Sequence, residues 1–286
     1  MTNDRALEQA IEKMGAGTGN SFANLFDDFL DAVLAMMCNN PSEHQRKVLA
    51  SYLSDGWKKQ AFLEAMKAYG EAAEGYHDPL GEMFMLRISH GQNGQFFTPE
   101  NICSMMAEMM DPQDGSICDP TCGSGRLLLS GLKVSRRNGL EPVLYGNDLS
   151  ITCAKMTLAN LLFNSARGEV SCGNSLLMDL RNFRFFRIDR VRMPDGWIST
   201  YWQYTLEDVE EVDRQRDEWR ARMLASGIPV EILPVPKSRE SVPEEAETVP
   251  ESVDPVPAEA ESVPSEPKYD HLTATPKAVQ LELNLF

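Results

Sequence analysis

Hydrophobic residues over the first 90 positions recur at the spacing of amphipathic helices. After Ser21, a residue type favoured at helix N-caps, apolar side chains continue at three- and four-residue intervals as far as Met37. Two further segments, beginning near residues 42 and 58, follow the same pattern. The pattern predicts a helical N-terminal domain over residues 1–90. This domain either packs as a bundle for stability or meets a substrate or partner.

The pattern changes near residue 91, where apolar runs of strand length alternate with helical segments. Short strands are predicted at about 116–119, 142–148 and 168–174. Helices lie between them, and residues 181–193, which are rich in Arg and aromatic residues, are predicted to form one more strand. Alternation of this kind is typical of an α/β domain with a parallel sheet. We therefore predict such a domain over residues 91–205.

The rest of the chain changes in composition. A charged helix is predicted over residues 206–227. Residues 228–279 are rich in Pro, Glu, Ser and Val, which predicts a disordered acidic tether of polyproline character. Beyond residue 225 there are 12 acidic and 4 basic residues, which accounts for half of the net charge of −16. A chain with this net negative charge is not expected to bind nucleic acid over a broad surface, because such binding needs a basic surface. A local basic patch is still compatible with this charge.

The six cysteines lack the paired spacing of a zinc site, so we predict no metal. Reduced cysteines that act as small apolar residues are typical of a cytosolic protein. The sequence shows no signal peptide and no apolar run of about 18 residues. These features predict a cytoplasmic protein that does not enter a membrane.

Four short motifs follow one another in the middle of the chain: GQFFTP (94–99), DPTCGSG (119–125), GND (146–148) and GNSL (173–176). In this order the motifs resemble those of adenine-N6 DNA methyltransferases, most closely the modification subunit of type I restriction-modification systems. The resemblance covers roughly residues 85–180. It implies a Rossmann-like module that binds S-adenosylmethionine, in a protein of bacterial, plasmid or phage origin.

The resemblance assigns the motif residues to the methyl donor. Small residues after a strand let a ligand approach the backbone at a helix N-terminus, where free N–H groups suit a carboxylate. Asp119 would meet the amino group of the donor, and Asp148 would accept hydrogen bonds from its ribose. Asn174 stands where the family usually has an Asp that binds the adenine amine. The candidate cofactor residues are Gln95, Phe96, Phe97, Thr98, Pro99, Asp119, Pro120, Gly123, Ser124, Gly125, Asp148 and Asn174.

Each of these residues also has a purely structural interpretation. Glycines serve turns, Asp caps helices, and Phe96 and Phe97 could be core residues. In the upstream motif, Thr98 is a plausible N-cap, with Pro99 at the first helical position.

The acceptor side of the expected reaction is missing from the sequence. Transfer to adenine N6 requires that the base leave the duplex and enter a pocket, which the family builds from an Asn/Asp-Pro-Pro-aromatic segment. No Pro-Pro pair occurs in the chain, and neither Asn40-Pro41-Ser42 nor Asp195-Gly196-Trp197 fits. We therefore predict no catalytic residue. A second subunit that completes the methyltransferase sheet is one candidate partner, and DNA is another.

Three functions remain open at this point. The chain could bind S-adenosylmethionine without catalysis of its own. It could be a divergent active enzyme, in which an aromatic platform stacks on the base. It could also be a non-catalytic regulator or decoy of restriction-modification or repair. The aromatic candidates, which could equally be packing residues, are Trp197, Tyr201, Trp202 and Tyr204.

A run of arginines between residues 181 and 192 is interleaved with phenylalanines. Arg184, Arg187 and Arg190 are the candidates for nucleic-acid contact, with charges for phosphates and rings for bases. The alternative is an edge strand whose arginine heads reach solvent or pair with the acidic surface.

The chain ends on QLELNLF, residues 280–286. This heptapeptide resembles the peptides by which bacterial replication and repair proteins dock on the DNA sliding clamp. Attachment through a long flexible tether would raise its local concentration without fixing its orientation. An alternative is that the apolar alternation adds a strand to the protein's own domain. The candidate partner-binding residues are Gln280, Leu281, Leu283, Leu285 and Phe286.

Overall fold

The structure is a computed structural model that describes residues 3–89, 96–112, 115–177 and 179–232. The predicted helical region is confirmed. Residues 3–89 contain five α-helices, which are α1 (Asn3–Met14), α2 (Phe22–Met37), α3 (Glu43–Leu53), α4 (Gly56–Ala72) and α5 (Pro79–Phe84). Ser21 caps α2 by accepting a hydrogen bond from the Asn24 N–H, as the sequence predicts. A π-helical turn, Met85–Ser89, follows α5.

Helices and strands alternate from residue 100 to residue 172, as predicted, and two further strands then follow without an α-helix between them. In chain order, the helices and strands are α6 (Glu100–Met110), β1 (Ser116–Asp119), α7 (Arg126–Arg137), β2 (Val143–Asp148), α8 (Ile151–Phe163), β3 (Arg167–Cys172), β4 (Arg184–Met193), β5 (Gly196–Tyr204), α9 (Val209–Ala225) and β6 (Val230–Glu231). The charged helix predicted near the end of this region is α9.

The strands form one mixed sheet in the order β1-β2-β3-β4-β5, and β6 pairs with β4. The first three strands are parallel, and the remaining pairs are antiparallel. The strand predicted over residues 181–193 is confirmed by β4, whereas β5, which completes residues 184–204, was not predicted. These residues form a hairpin, because Pro194 and Asp195 stand at a tight turn before Gly196, whose φ is +148°.

One hydrophobic cluster joins the N-terminal helices to the sheet. It contains Leu7 and Phe26 from the helical region together with Leu158 and Tyr201 from the α/β region. A second cluster lies on the other face of the hairpin, where Trp219 of α9 packs edge-on against Trp202 with ring centroids 6.1 Å apart. The helices and the sheet thus share one core, although the sequence suggests two domains.

Candidate functional site

A loop of small residues lies between β1 and α7. The N–H of Cys122 donates to the Asn147 carbonyl at the end of β2, which holds the loop across the neighbouring strand (2.8 Å). Gly123 and Gly125 have φ values of +56° and +84°, a conformation that favours glycine. A Cβ added at Gly123 would lie 2.9 Å from the ring of Phe97. The loop therefore needs glycine for its conformation and for the space beside the upstream motif.

The N-terminus of α7 is left open by this loop. Gly125 at the N-cap has no side chain to accept a hydrogen bond, whereas Ser or Asp side chains cap α2, α3, α4 and α8. The first-turn N–H groups of a helix have no partner inside the helix and carry partial positive charge. An uncapped first turn beside a cavity suits a carboxylate or phosphate.

A cavity of about 210 Å³ lies against this helix end. It is lined from one side by Phe96, Phe97, Thr98 and Cys103, and from the other by Asp119, Thr121, Cys122, Gly123, Ser124, Arg126 and Leu127. Six of the predicted cofactor residues therefore surround one space. Two sequence-distant motifs, one before α6 and one after β1, meet there.

Asp119 is the acidic group of the cavity. Its side chain accepts a hydrogen bond from the Thr121 N–H at 3.1 Å. Burial raises the pKa of Asp119, and the nearby negative charge of Asp148 acts in the same direction, against the hydrogen bond from Thr121. A half-buried carboxylate whose ionised form is disfavoured would gain from a positively charged ligand group.

Asp148 supports the loop directly. One carboxylate oxygen accepts from the Gly123 N–H at 2.9 Å, and the other accepts from the Ser150 N–H at 2.8 Å. The residue ends β2 and ties that strand to the glycine loop and to the start of α8. These two hydrogen bonds give the Asp148 side chain a structural role. Its contact with the ribose of a cofactor stays a prediction.

The other predicted cofactor residues that the structure describes are not among those that line the cavity. Asn174 uses its side-chain oxygen to accept from the N–H groups of Leu176 and Leu177, at 3.0 and 3.3 Å, which makes it a turn residue. The carbonyl of Pro120 accepts a hydrogen bond from the side-chain amide of Asn147 at 3.2 Å. Gln95 lies outside the described residues.

The upstream motif differs in detail from its prediction. Helix α6 begins at Glu100, so Pro99 holds the N-cap position and no side chain caps the helix. Thr98 is therefore not the cap. Its carbonyl accepts instead from the Arg126 guanidinium at 3.2 Å. Phe97 stacks on Phe84 with centroids 5.8 Å apart, whereas Phe96 is 74% exposed at the cavity.

A buried polar network beneath the loop was not foreseen from the sequence. Asp78, at the start of α5, is 1% exposed and accepts hydrogen bonds from the Ser124 hydroxyl, the Arg126 guanidinium and the Asn160 amide. The last two bonds are 3.1 and 2.7 Å long. Tyr69 donates to Asn160 in turn, at 2.7 Å. The sequence does indicate a helix start at Asp78-Pro79. Nothing in the neighbouring residues, however, indicates that Ser124, Arg126 and Asn160 bind the Asp78 carboxylate.

The arginine run does not form a nucleic-acid contact strip in this structure. Arg187 is 2% exposed and pairs with Glu169 at 3.0 Å and Asp213 at 2.8 Å. Arg190 is 4% exposed and pairs with Glu141 at 2.7 Å and also with Glu231. The prediction that these two arginines bind phosphates is therefore wrong, because their charges are used inside the fold. Arg184 is exposed, and its role stays a prediction.

The candidate base-stacking platform is mostly core. Tyr201, Trp202 and Tyr204 are 0%, 4% and 4% exposed, which removes them as surfaces for a flipped base. Only Trp197 is partly accessible, and the guanidinium groups of Arg190 and Arg192 lie over its ring. Asn40, in the nearest imitation of the missing motif, exchanges two hydrogen bonds with the Gln203 backbone at 2.8 and 2.9 Å. It thus braces β5, and β1 lies at the opposite end of the sheet order.

The remaining predictions concern metal binding, a membrane span and the C-terminal segment. Within the described residues, no three His, Cys, Asp or Glu side chains gather so that they could hold a metal ion. Across the same ranges, no helix has both the length and the apolarity of a membrane span. The heptapeptide 280–286 and most of the acidic segment before it lie outside the described residues.

The glycine loop, the open helix end and the acidic cavity at the carboxyl ends of parallel strands define a Rossmann-like module for a nucleoside-type cofactor. A sequence model of the N-6 DNA Methylase family matches residues 80–225, and the chain belongs to this family. The family assignment confirms the predicted methyltransferase fold class, for which S-adenosylmethionine is the methyl donor.

Relatives with curated names are methylase subunits of type I restriction enzymes. The MjaIX methylase subunit of Methanocaldococcus jannaschii is 33% identical over 85 residues, which are 29% of this chain and 15% of that protein. The MpnII methylase subunit of Mycoplasma pneumoniae is 25% identical over 219 residues, which are 72% of this chain and 36% of that protein. This chain thus matches between 15% and 36% of the length of these two relatives.

Among solved structures, the type I restriction-modification system methyltransferase subunit from Streptococcus thermophilus is similar to this chain at 19% identity. The match covers 62% of this chain and 40% of that one, with a TM-score of 0.34.

Proposed function

We propose that this protein is the donor-side module of an adenine-N6 DNA methyltransferase, which binds S-adenosylmethionine and has no complete acceptor site of its own. The observation that carries the proposal is the cavity between the upstream motif and the glycine loop. Aromatic rings, the half-buried carboxylate of Asp119 and an uncapped helix N-terminus border the same space. When bound, the cofactor would supply a methyl group on a positively charged sulfonium.

Each part of the cavity has a group of the cofactor to hold. The first-turn N–H groups of α7 suit the carboxylate of its methionine part. Asp119 suits the ammonium group, because a positive neighbour favours the ionised carboxylate. Phe96 presents an exposed ring for an apolar or cationic surface of the ligand.

Calorimetric titration with S-adenosylmethionine tests this proposal. We expect a single site in the full chain and at least about a tenfold weaker Kd for Asp119→Ala. The matched control is Asp195→Asn, a change at an exposed carboxylate in the β4–β5 turn. Absence of heat at millimolar cofactor in the folded wild-type protein would contradict the proposal.

The acceptor half of the reaction is proposed to come from a second polypeptide. This rests on the missing Asn/Asp-Pro-Pro-aromatic segment and on the burial of three of the four aromatic candidates. The competing proposal, a divergent active enzyme, retains Trp197 alone. Transfer of a labelled methyl group to unmethylated DNA decides between them: product from the isolated chain favours the enzyme, and its absence favours the incomplete module.

We further propose that QLELNLF recruits the protein to the bacterial sliding clamp, through Gln280 and the four apolar residues of the heptapeptide. A pull-down with purified clamp should retain the full chain and lose the chain that ends at residue 279. The control replaces Glu282 with Gln, which keeps the apolar positions. Equal retention of the full and shortened chains, or no retention of either, would contradict recruitment. The cytosolic location stays a prediction.

A further inference from the structure

The outer edge of β1 has no neighbour in the sheet as far as the structure describes it. β1 stands first in the strand order and pairs only with β2. A parallel strand is usually enclosed by neighbours and covered on both faces, and an open edge presents a row of unpaired N–H and C=O groups. The edge of β1 is therefore a place where another strand can add.

One face of this edge is covered by helices and the other is open. Ile117 points toward α7, where it packs against Gly131. Ser116 and Cys118 point the other way and are exposed. An added strand would thus have to be apolar on the side of the helices and polar on the other side.

Helix α6 packs against α7, the helix that covers β1. α8 packs over β2 and β3, α7 packs over β1 and β2, and α6 packs against α7. Only Cys103 and Ala107 of α6 are buried. We call its remaining apolar side chains the methionine face; they are 38 to 78% exposed and comprise Ile102, Met105, Met106, Met109 and Met110.

Five exposed apolar side chains on one helix are typical of an interaction site, and methionine side chains adapt readily to a partner. The salt bridge between Arg137 and Glu108, with N–O distances of 2.6 Å, joins the two helices near their ends.

We propose that the C-terminal residues 280–286 of the same chain add a strand to the outer edge of β1, with their leucines beneath the methionine face of α6. In QLELNLF, Leu281, Leu283 and Leu285 alternate with Gln280, Glu282 and Asn284. A strand with this pattern has one apolar face and, as far as Asn284, one polar face, on which the terminal Phe286 also lies. The apolar face matches the side of α6, and the polar face matches the open side, where Cys118 is exposed.

The connecting chain is long enough for this arrangement. The last residue of the described chain is 232. It directly follows β6, which pairs with β4. Three strand spacings, about 15 Å, separate β4 from β1. A flexible chain with the length of residues 233–279 spans roughly 35–40 Å. A tethered peptide also has an effective concentration on the order of millimolar, which favours it over a free partner for so small a surface.

This inference goes beyond the proposed cofactor site and does not depend on it. It bears on clamp recruitment, since a heptapeptide held by β1 is withheld from another protein. The full chain would then bind the clamp more weakly than the isolated peptide does.

Cysteine cross-linking with the exposed Cys118 tests the proposal on the full chain, without cofactor, DNA or clamp. Two variants, Glu282→Cys and Asn284→Cys, place a thiol on the polar face of the added strand. The control, Leu283→Cys, places it on the face toward α6. With diamide as oxidant, we expect an intrachain disulfide to Cys118 in at least one of the two variants, about fivefold more abundant than in the control. Cys118→Ser should abolish it.

Three outcomes would overturn the proposal: equal cross-linking from both faces, none from either, or a disulfide between two chains. The last would identify a second copy as the occupant. Hydrogen exchange gives an independent measurement that needs no cysteine. The triple variant Leu281→Ser, Leu283→Ser, Leu285→Ser should speed exchange of the β1 amides several-fold, while the control Gln280→Ser, Asn284→Ser leaves it unchanged. Identical β1 exchange in wild type and triple variant would contradict docking.

Discussion

The carboxylate of Asp78 accepts a hydrogen bond from the hydroxyl of Ser124, although 46 positions separate the two residues. The bond connects the start of α5 to the glycine loop from below. The same carboxylate also accepts hydrogen bonds from Arg126 and Asn160. It therefore fixes the first turn of α7 beside the cavity. Asp78 is thus a positioning residue for the candidate cofactor site.

Removing this carboxylate should unfold or loosen the loop. Asp78→Ala leaves the buried Arg126 without its main counter-charge, which we expect to lower the free energy of unfolding by about 3–5 kcal/mol. Urea denaturation measures this loss. The control is Glu82→Gln, which removes the more exposed partner of Arg126 and should cost below about 1 kcal/mol. Similar losses in the two variants would contradict the network.

A methyl group at Gly123 should damage the cavity more than the fold. Gly123→Ala meets the Phe97 ring at 2.9 Å and must adopt a φ of +56°, so we expect a cost of about 1–2 kcal/mol and a weaker Kd for the cofactor. Calorimetry checks the binding. The control, Gly139→Ala, carries a similar positive φ with no neighbour near its Cβ, and should leave cofactor binding unchanged.

Cofactor binding should weaken as pH falls through the pKa of Asp119. Burial raises this pKa above the ordinary value of 3.8, and only the ionised form attracts an ammonium group. The sign for stability is opposite: a raised carboxyl pKa makes the ionised residue unfavourable for the free fold as pH rises. Asp119→Asn should therefore bind the cofactor poorly and yet melt slightly higher at neutral pH. A lower Tm in this variant would contradict the assignment.

His77 should make the stability of the fold depend on pH near neutrality. Its ring nitrogens contact Glu100 and Asp4 at 3.0 Å each, which links α6 to α1. Burial alone would lower the pKa of His77, but the two carboxylates outweigh it and raise the pKa above 6.5. Stability gained from the charged ring is fully present below the unfolded pKa and is lost as pH rises through the folded value. Tm should fall from about pH 6 to pH 8 in wild type and fall less in His77→Gln.

The arginines of β4 should divide into two kinds. Arg187→Ala removes a buried cation from two carboxylates, so we expect a loss of about 3–5 kcal/mol in urea denaturation. Arg184→Ala, on the exposed end of the same strand, should change stability by less than about 0.5 kcal/mol. If DNA binds at this end, filter binding should show a weaker and less salt-dependent affinity for Arg184→Ala. An unstable Arg184→Ala variant would contradict this division.

Local patterns were sufficient for the parts of the fold that depend on neighbours in sequence. The apolar periodicity of α2, the strand β1 before the glycine loop and the N-cap of Ser21 all follow from residues within one or two turns of each other. The same holds for Asp119 and Gly123, whose placement at the end of a strand and the start of a helix is a property of one short motif.

The tertiary structure alone decided which charges are used internally and which remain available. In sequence, Arg184, Arg187 and Arg190 are spaced by three residues, which in a strand puts Arg187 on one face and the other two on the opposite face, but nothing local separates Arg184 from Arg190. Only the position of α9, β6 and Glu141 around β4 buries the last two and leaves the first exposed. Asp78 likewise looks like a helix cap until folding brings Ser124, Arg126 and Asn160 around it. Periodicity records which side of an element is apolar, whereas the partner of a charge depends on elements that are distant in the chain.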